Sequence, residues 1–219
     1  MRLLINGASW RPLFSRVRPP TPEFGGLPST RLEHFFERLV AVGAMVGERG
    51  LPRVIAVVGH ADLAPWTLAL LEEELRTRLG RCAEAGRTGL VRVGQGLPLA
   101  FGRAAKQAGL ALVAVVPTLN RVPALLRERD RRAAGELLLL SQQVRLVEYD
   151  PADRNACVRT DERLLRACAR VLAVWDGTAS NGQDTTAHLV AYARSHGIDV
   201  EVLWPHGAER VPGLGEEPS

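Results

Sequence analysis

The sequence predicts an α/β protein with a Rossmann-like, doubly wound, mainly parallel sheet and helices on both faces. From residue 51 onward, short apolar runs rich in Val, Leu and Ala alternate with amphipathic stretches, and Gly, Pro or Asp separate them. Strands buried on both sides need such apolar runs, because helices cover each face of a parallel sheet. The composition, with 46% hydrophobic and 24% charged residues, is typical of a globular protein.

Six strands and five helices are expected to alternate along this part of the chain. The strands are predicted at residues 54–59, 89–93, 111–117, 144–149, 171–177 and 198–204. Apolar residues recur at helical spacing between them, which predicts helices around 66–79, 98–108, 124–139, 156–168 and 185–196. We assign residues 51–206 to one Rossmann-like domain on this basis.

The two ends of the chain differ in composition from this domain. Residues 1–29 contain five prolines and a Gly-Gly pair, which predicts a flexible arm. Residues 30–50 predict an N-terminal helical extension, because Leu32, Phe35, Phe36 and Leu39 share one helical face. The Gly-rich and Glu-rich residues 207–219 predict a flexible tail.

Composition argues against several classes of function. No apolar run approaches the ~20 residues that span a bilayer, and no signal-peptide pattern opens the sequence, so we expect a cytoplasmic protein. The three cysteines, Cys82, Cys157 and Cys168, lack CxxC spacing, and we expect neither a metal site nor a cofactor. The 28 basic residues are scattered among 24 acidic ones, so we expect no nucleic-acid binding.

The residues that follow the strands predict where a ligand binds, since open parallel sheets bind ligands beyond the carboxyl ends of their strands. Small, hydroxylic and amide residues dominate these positions. Residues 182–186 also lead into a helix, whose N-terminal N–H groups favour a phosphate. The expected ligand-binding residues are Gly59, His60, Gly94, Gly96, Thr118, Arg154, Asp176, Gly177, Gly182, Asp184, Thr185 and Thr186.

Each of these positions also has a purely structural interpretation. The Gly94–Gly96 stretch suits any tight strand-to-helix turn, and Asp184 can cap its helix instead of contacting a ligand. His60 is either a hydrogen-bonded turn residue or an acid or base. Asp176 either braces its loop or binds a ribose hydroxyl. Arg154 either clamps a phosphate or carboxylate or lies on the surface.

Three segments of the chain resemble the SLOG superfamily over about residues 53–206. They are VIAVVGH, GLVRVGQGLPLAFGRAAKQAG with the following LALVAVVP, and LLRACARVLAVWDGTASNGQDTTAHLVAYARSHGIDVEVLWPHGAER. This group includes lonely-guy proteins, DNA-processing protein A, molybdenum-cofactor carrier-like proteins and bacterial nucleotide-signal sensors. The resemblance implies a divergent bacterial member with a Rossmann-like nucleotide-binding domain, and it is compatible with a homodimer.

The chain departs from the pattern of this superfamily at three places. Pro98 stands where relatives carry Asp in the loop after the second strand. The Asp184–Thr185 pair replaces a glycine pair before Thr186, so a phosphate would meet a bulkier and more negative rim. Leu189 stands at the position of the catalytic glutamate of lonely-guy proteins, and a leucine cannot move a proton or stabilise a ribosyl cation.

Three functions remain open from the sequence. The preferred one is a sensor or carrier that binds a nucleotide or nucleoside-derived small molecule, because Leu189 removes the relatives' catalytic glutamate. The second is a hydrolase of an N-glycosidic or phosphate bond, with Asp176 or Asp184 as the carboxylate and His60 as acid or base. The third is a degenerate scaffold that acts through protein contacts of its N-terminal residues.

Overall fold

The computed structural model describes residues 53–180 and 184–211. The arm predicted at 1–29, the helix predicted at 30–50, Gly182 and the tail from 212 lie outside the described residues. Within the described part, no helix combines the length and apolarity needed to cross a bilayer. The elements are β1 (Val54–Gly59), α1 (Pro65–Glu84), β2 (Thr88–Arg92), α2 (Leu97–Gln107), β3 (Ala111–Leu119), β4 (Val122–Pro123), α3 (Glu128–Leu140), β5 (Gln143–Glu148), α4 (Arg154–Leu165), β6 (Arg170–Val174), α5 (Thr186–Ser195) and β7 (Asp199–Leu203).

The strand order confirms the predicted fold class. Parallel strands run in the order β5-β3-β2-β1-β6-β7, and the two-residue β4 pairs antiparallel with the end of β3. The chain first builds outward from β1 through β2 and β3 to β5, then returns to place β6 on the other side of β1. The order therefore reverses between β1 and β6, which is the topological switch point of a doubly wound sheet.

Two hydrophobic cores lie on opposite faces of the sheet. Helices α1, α2 and α3 pack on one face, where Leu71, Phe101 and Leu137 are fully buried. Helices α4 and α5 pack on the other face, around Val171 and Leu189. Leu189 is therefore a core residue, and its apolar side chain serves the packing of α5.

A short hairpin between β3 and β4 replaces the early start predicted for the third helix. Asn120 and Arg121 form its turn with φ values of 52° and 67°, in the left-handed region. Glu148 stabilises this turn, because its carboxylate accepts hydrogen bonds from the Asn120 amide at 2.7 Å and the Thr118 hydroxyl at 2.8 Å. Helix α3 accordingly begins at Glu128 and not near residue 124.

The chain beyond β7 continues to pack on the domain after residue 206. Residues 205–211, which we call the C-terminal strap, run past the loop between β1 and α1. The Ala64 amide donates to the Glu209 carbonyl at 3.1 Å, and the Val211 amide donates to the Asp62 carbonyl at 2.8 Å. These bonds hold residues 209–211 against the loop between β1 and α1. Residues 207–211, assigned to a flexible tail from composition, are held by main-chain pairing that composition does not reveal.

Candidate functional site

The candidate site lies at the switch point of the sheet, where β1 and β6 end side by side. Gly59 pairs in register with Val174, so the residues that follow the two strands leave the sheet together. His60 follows β1 and Asp176 follows β6 at this edge. Ligands of open α/β sheets bind in the crevice at such a point. The fold thus brings together two residues that the sequence singled out from distant segments.

His60 is the buried centre of this site, with 1% of its surface exposed. Its Nδ1 lies 2.6 Å from Asp184 Oδ2, and its Nε2 lies 3.0 Å from Asp176 Oδ1. The Asp176 amide also lies 3.2 Å from Nε2. With a proton on Nδ1 alone, His60 donates to Asp184 and accepts from the Asp176 amide; with both nitrogens protonated, it donates to both carboxylates. Either state leaves the ring fully hydrogen-bonded.

Asp176 and Asp184 are held in the ionised form. Burial by itself would raise the pKa of each carboxyl, but hydrogen bonds outweigh it. The hydroxyl and amide of Thr178 donate to Asp176 at 2.6 and 2.9 Å, and with His60 they lower the pKa of Asp176 to about 2. His60 and the hydroxyl and amide of Thr186 lower the pKa of Asp184 well below its usual range. Asp184 thereby accepts a hydrogen bond from the first amide of α5, and Thr185 is the N-cap residue of that helix.

Arg210 of the C-terminal strap completes the arrangement. Its guanidinium binds Asp62 in a bidentate fashion, with Nε–Oδ1 and Nη2–Oδ2 distances of 2.9 and 3.0 Å. The same guanidinium lies 3.4 Å from Asp176 and 3.6 Å from Asp184. Sequence reasoning missed both Asp62 and Arg210. Asp62 lies beyond Gly59 and His60, the two residues singled out after β1, and Arg210 lies in the predicted tail. We call His60, Asp62, Asp176, Asp184 and Arg210 the switch-point cluster.

The switch-point cluster is acidic and partly open to solvent. Three carboxylates face one guanidinium and one imidazole, and 17% of the Asp176 side chain and 20% of the Arg210 side chain are exposed. Ionised carboxylates accept hydrogen bonds from hydroxyl or amino groups and repel a multiply charged anion. Within the described ranges, no group of three or more His, Cys, Asp and Glu side chains has the arrangement of a metal site.

The predicted glycines after β1 and β2 differ in their surroundings. A Cβ on Gly59 would lie 2.5 Å from a Leu97 methyl group, so this glycine is needed for close packing. Gly96 has a φ of 68° at the start of α2, where an added Cβ would meet open space. The preceding Gln95 amide already donates to the Asp130 carboxylate at 3.1 Å. The carboxylate of Asp130, a residue that sequence reasoning missed, therefore lies where the turn around Gly94 would hold a bound anion.

The remaining predicted residues are divided between the cluster and positions outside it. Thr186 is buried and bonded to Asp184, Thr185 is the residue that precedes α5, and Gly177 adopts a φ of 87° beside Asp176. Thr118 lies inside β3, buried and bonded to Glu148, and Arg154 is the exposed first residue of α4. The structure thus gathers the residues after β1 and β6 and leaves those after β3 and β5 apart.

The low pKa of Asp176 predicts how acid affects this site. A depressed carboxyl pKa stabilises the fold above the unfolded value near 4, and this contribution is lost as the pH falls toward 2. Replacing Thr178 by valine removes one donor, so we expect the Asp176 pKa to rise toward its ordinary value. Carboxyl carbon NMR titration of the two proteins measures this shift, and an unchanged Asp176 titration in Thr178→Val would contradict it.

The fold is similar to solved structures at low sequence identity. The structure of DNA processing protein A (DprA) from Streptococcus pneumoniae aligns over 68% of this chain and 49% of its own, with 15% identity and a TM-score of 0.49. Two structures of the molybdenum cofactor carrier protein from Chlamydomonas reinhardtii align over 68% and 70% of this chain and 74% and 77% of their own, with 19% and 18% identity and TM-scores of 0.43.

These similarities concern the fold alone. The chain spans about half the length of the DprA chain that it matches. Its sequence matches no protein-family model and no curated protein. The likeness carries no information on a ligand or an activity.

Proposed function

We propose that the chain is a sensor or carrier that binds a nucleotide or nucleoside-derived small molecule at the switch-point cluster. The observation that supports this function most strongly is the convergence of His60, Asp176 and Asp184 beside the ends of β1 and β6. Partly exposed carboxylates at the switch point of a parallel sheet lie where such folds bind their ligands. Binding there needs no rearrangement of the sheet, because both strand ends are fixed by pairing.

The charge of the cluster favours the nucleoside end of such a ligand over its phosphates. Ribose hydroxyls and base amino groups can donate to Asp176 and Asp62, whose side chains are 17% and 21% exposed. One N–H group at each of the turns after β2 and before α5 already donates to a carboxylate: the Gln95 amide after β2 donates to Asp130, and the Thr186 amide at the start of α5 donates to Asp184. A phosphate at either helix would displace or repel a carboxylate, so its binding would be weaker than at an uncapped helix.

Hydrolysis of the ligand is less well supported by this geometry. Both nitrogens of His60 are bonded to the protein, so the imidazole has no free position from which to exchange a proton with a substrate. Asp176, with a pKa near 2, and Asp184, whose pKa is also lowered, have no proton to give to a leaving group at neutral pH. Their ionised carboxylates retain one role in such a reaction, which is to stabilise a positively charged ribosyl centre.

A thermal-shift screen of the full chain tests the proposal. The panel contains nucleosides, their mono- and triphosphates, cyclic dinucleotides and NAD-related compounds, and each incubated compound is then analysed by chromatography. A ligand at ~100 times its dissociation constant adds about 2.7 kcal/mol, which for a chain of this size is a shift of roughly 5 to 10 °C. We expect nucleosides to give shifts at least as large as those of their triphosphates, and to be recovered intact.

Two variants locate the binding event. Asp176→Asn removes the charge of one cluster carboxylate and should abolish most of the ligand-induced shift. Asp150→Asn makes the same change at an exposed aspartate outside the cluster, whose side chain accepts from the Ala152 amide, and should leave the shift intact. Release of a free base or of phosphate from any compound of the panel would instead favour the hydrolase function. The absence of a shift across the panel would contradict both readings and leave the scaffold function.

A further inference from the structure

We infer that the chain has a second binding site, an arginine-lined pocket at the opposite edge of the sheet that takes a compact phosphate-bearing anion. The cavity has a volume of about 230 Å³ and is lined by Arg78, Arg81, Arg87, Arg170, Glu201 and Cys82, with Ala85 between them. This pocket shares no residue with the switch-point cluster, so it stands independently of the function proposed above. We call it the arginine pocket.

The antiparallel course of α1 builds the arginine pocket at the amino-terminal edge of the sheet. Helix α1 runs back from the carboxyl edge, so its last two turns carry Arg78, Arg81 and Cys82 to the edge where the strands begin. Arg87 directly precedes β2, and Arg170 is the first residue of β6. Four guanidinium groups from three segments of the chain therefore meet at one concave surface.

Two of these arginines are fixed by carboxylates. Glu201 of β7 accepts from Arg78 Nε at 2.7 Å and from Arg170 Nη1 at 3.4 Å. Asp199 binds Arg170 at 2.6 Å, and Glu74 pairs with Arg78. Such shared pairs restrict the side-chain rotamers, so these two guanidiniums form a preorganised wall of the pocket.

The other two arginines carry unneutralised charge. Within the part of the chain that the structure describes, neither Arg81 nor Arg87 makes a side-chain hydrogen bond or ion pair. The lining of four arginines and one glutamate has a formal charge of +3. Even when Glu74 and Asp199 are counted with it, the group retains a charge of +1. Like charges that converge without a counter-ion are costly, so the pocket gains stability from a bound anion.

The size and donor geometry of the arginine pocket select the class of ligand. Guanidinium forks bind phosphate oxygens in a bidentate fashion, which favours a phosphate group over a halide or a single carboxylate. A volume of about 230 Å³ lies below the ~300 to 1,000 Å³ typical of pockets for drug-sized ligands. The pocket therefore fits a phosphate or diphosphate group, and its concave shape does not follow an extended nucleic-acid backbone.

Isothermal titration of the full chain with inorganic pyrophosphate tests this site. We expect saturable binding with one site per chain. The double variant Arg81→Ala, Arg87→Ala removes the two unpaired guanidiniums and should weaken binding by about tenfold or more, as expected for the loss of charge-assisted hydrogen bonds. Arg81→Ala alone, at an exposed residue that the fold does not need, should weaken binding by about threefold or more.

The matched control is Arg132→Ala, Arg163→Ala, which removes the same charge from exposed positions on α3 and α4 outside the pocket. We expect this control to bind pyrophosphate about as tightly as the unchanged protein. Equal weakening by both double variants, or no binding by the unchanged protein, would overturn the site. Binding of a single-stranded oligonucleotide in preference to pyrophosphate would overturn its assignment to a compact anion. Because Asp176→Asn leaves the arginine pocket intact, this variant should still bind pyrophosphate, which separates failure of this site from failure of the switch-point cluster.

Discussion

Replacing His60 by alanine is expected to destabilise the protein by about 3 to 5 kcal/mol, the cost of breaking a buried charged network. The imidazole lies between Asp176 and Asp184, and its removal leaves two ionised carboxylates facing a cavity without the ring that both contact. The ring also packs edge-on against Trp204, with centroids 5.8 Å apart. Thermal unfolding should therefore shift downward by roughly 6 to 20 °C.

His188→Ala is the matched control for this prediction. His188 also lies 2.7 Å from a carboxylate, that of Glu162, but half of its side chain is exposed. Exposed ion pairs contribute about 0 to 1 kcal/mol, so this variant should unfold close to the unchanged protein. Comparable destabilisation by the two variants would mean that His60 does not hold the two carboxylates in place.

A double-mutant cycle separates the bond to Asp184 from general packing. His60→Ala and Asp184→Asn should be strongly non-additive, because each change removes the same 2.6 Å hydrogen bond. Additive effects would show that His60 stabilises the fold through its contact with Trp204 and not through the carboxylate.

The sheet and its helices could be predicted from sequence because their signals are local. Each predicted strand from 54–59 to 198–204 overlaps a strand of the structure, since an apolar run between turn residues is a property of consecutive positions. The short β4 was missed because two residues are too few to show a hydrophobic periodicity, and because its turn depends on Glu148 of a distant strand. Helix α1 extends to Glu84, past the predicted end at 79, and Gly80 lies inside it.

The candidate site was predictable only in part, because half of it is made by tertiary contacts. The rule that ligands bind beyond the carboxyl ends of strands selected His60 and Asp176 correctly as neighbours. No local pattern connects Asp62 with Arg210, which pair across 148 positions of the chain. Asp130 likewise reaches the turn after β2 from α3, so only the packed structure reveals that a carboxylate occupies that turn.

Gly59→Ala tests whether a predicted ligand residue is in fact a packing residue, and we expect it to destabilise the fold by about 2 to 3 kcal/mol. The added Cβ would lie 2.5 Å from Leu97 Cδ2 and 2.8 Å from both the Cβ and the carbonyl oxygen of Val174. The Leu97 side chain can rotate. The Cβ and the carbonyl oxygen of Val174 are fixed to the backbone of the adjacent central strand, so they cannot move without disturbing the sheet. Chemical denaturation should show this loss of unfolding free energy.

Gly80→Ala is the opposite case and serves as the control for Gly59→Ala. A Cβ at Gly80 meets no atom within 4 Å, and the residue lies inside α1, so alanine should stabilise the helix by about 0.5 to 1 kcal/mol. The sign of the two changes in stability should therefore differ, although both replace glycine by alanine.

The outcome for Gly59→Ala decides the role of this glycine. If the variant unfolds like the unchanged protein yet loses ligand binding, then the crevice reaches the end of β1 and the glycine admits the ligand, as the sequence pattern first indicated. If the variant has a lower unfolding free energy and ligand still stabilises it, the glycine is needed for close packing where β1, β6 and α2 meet. The ligand is then held by the side chains beyond Gly59.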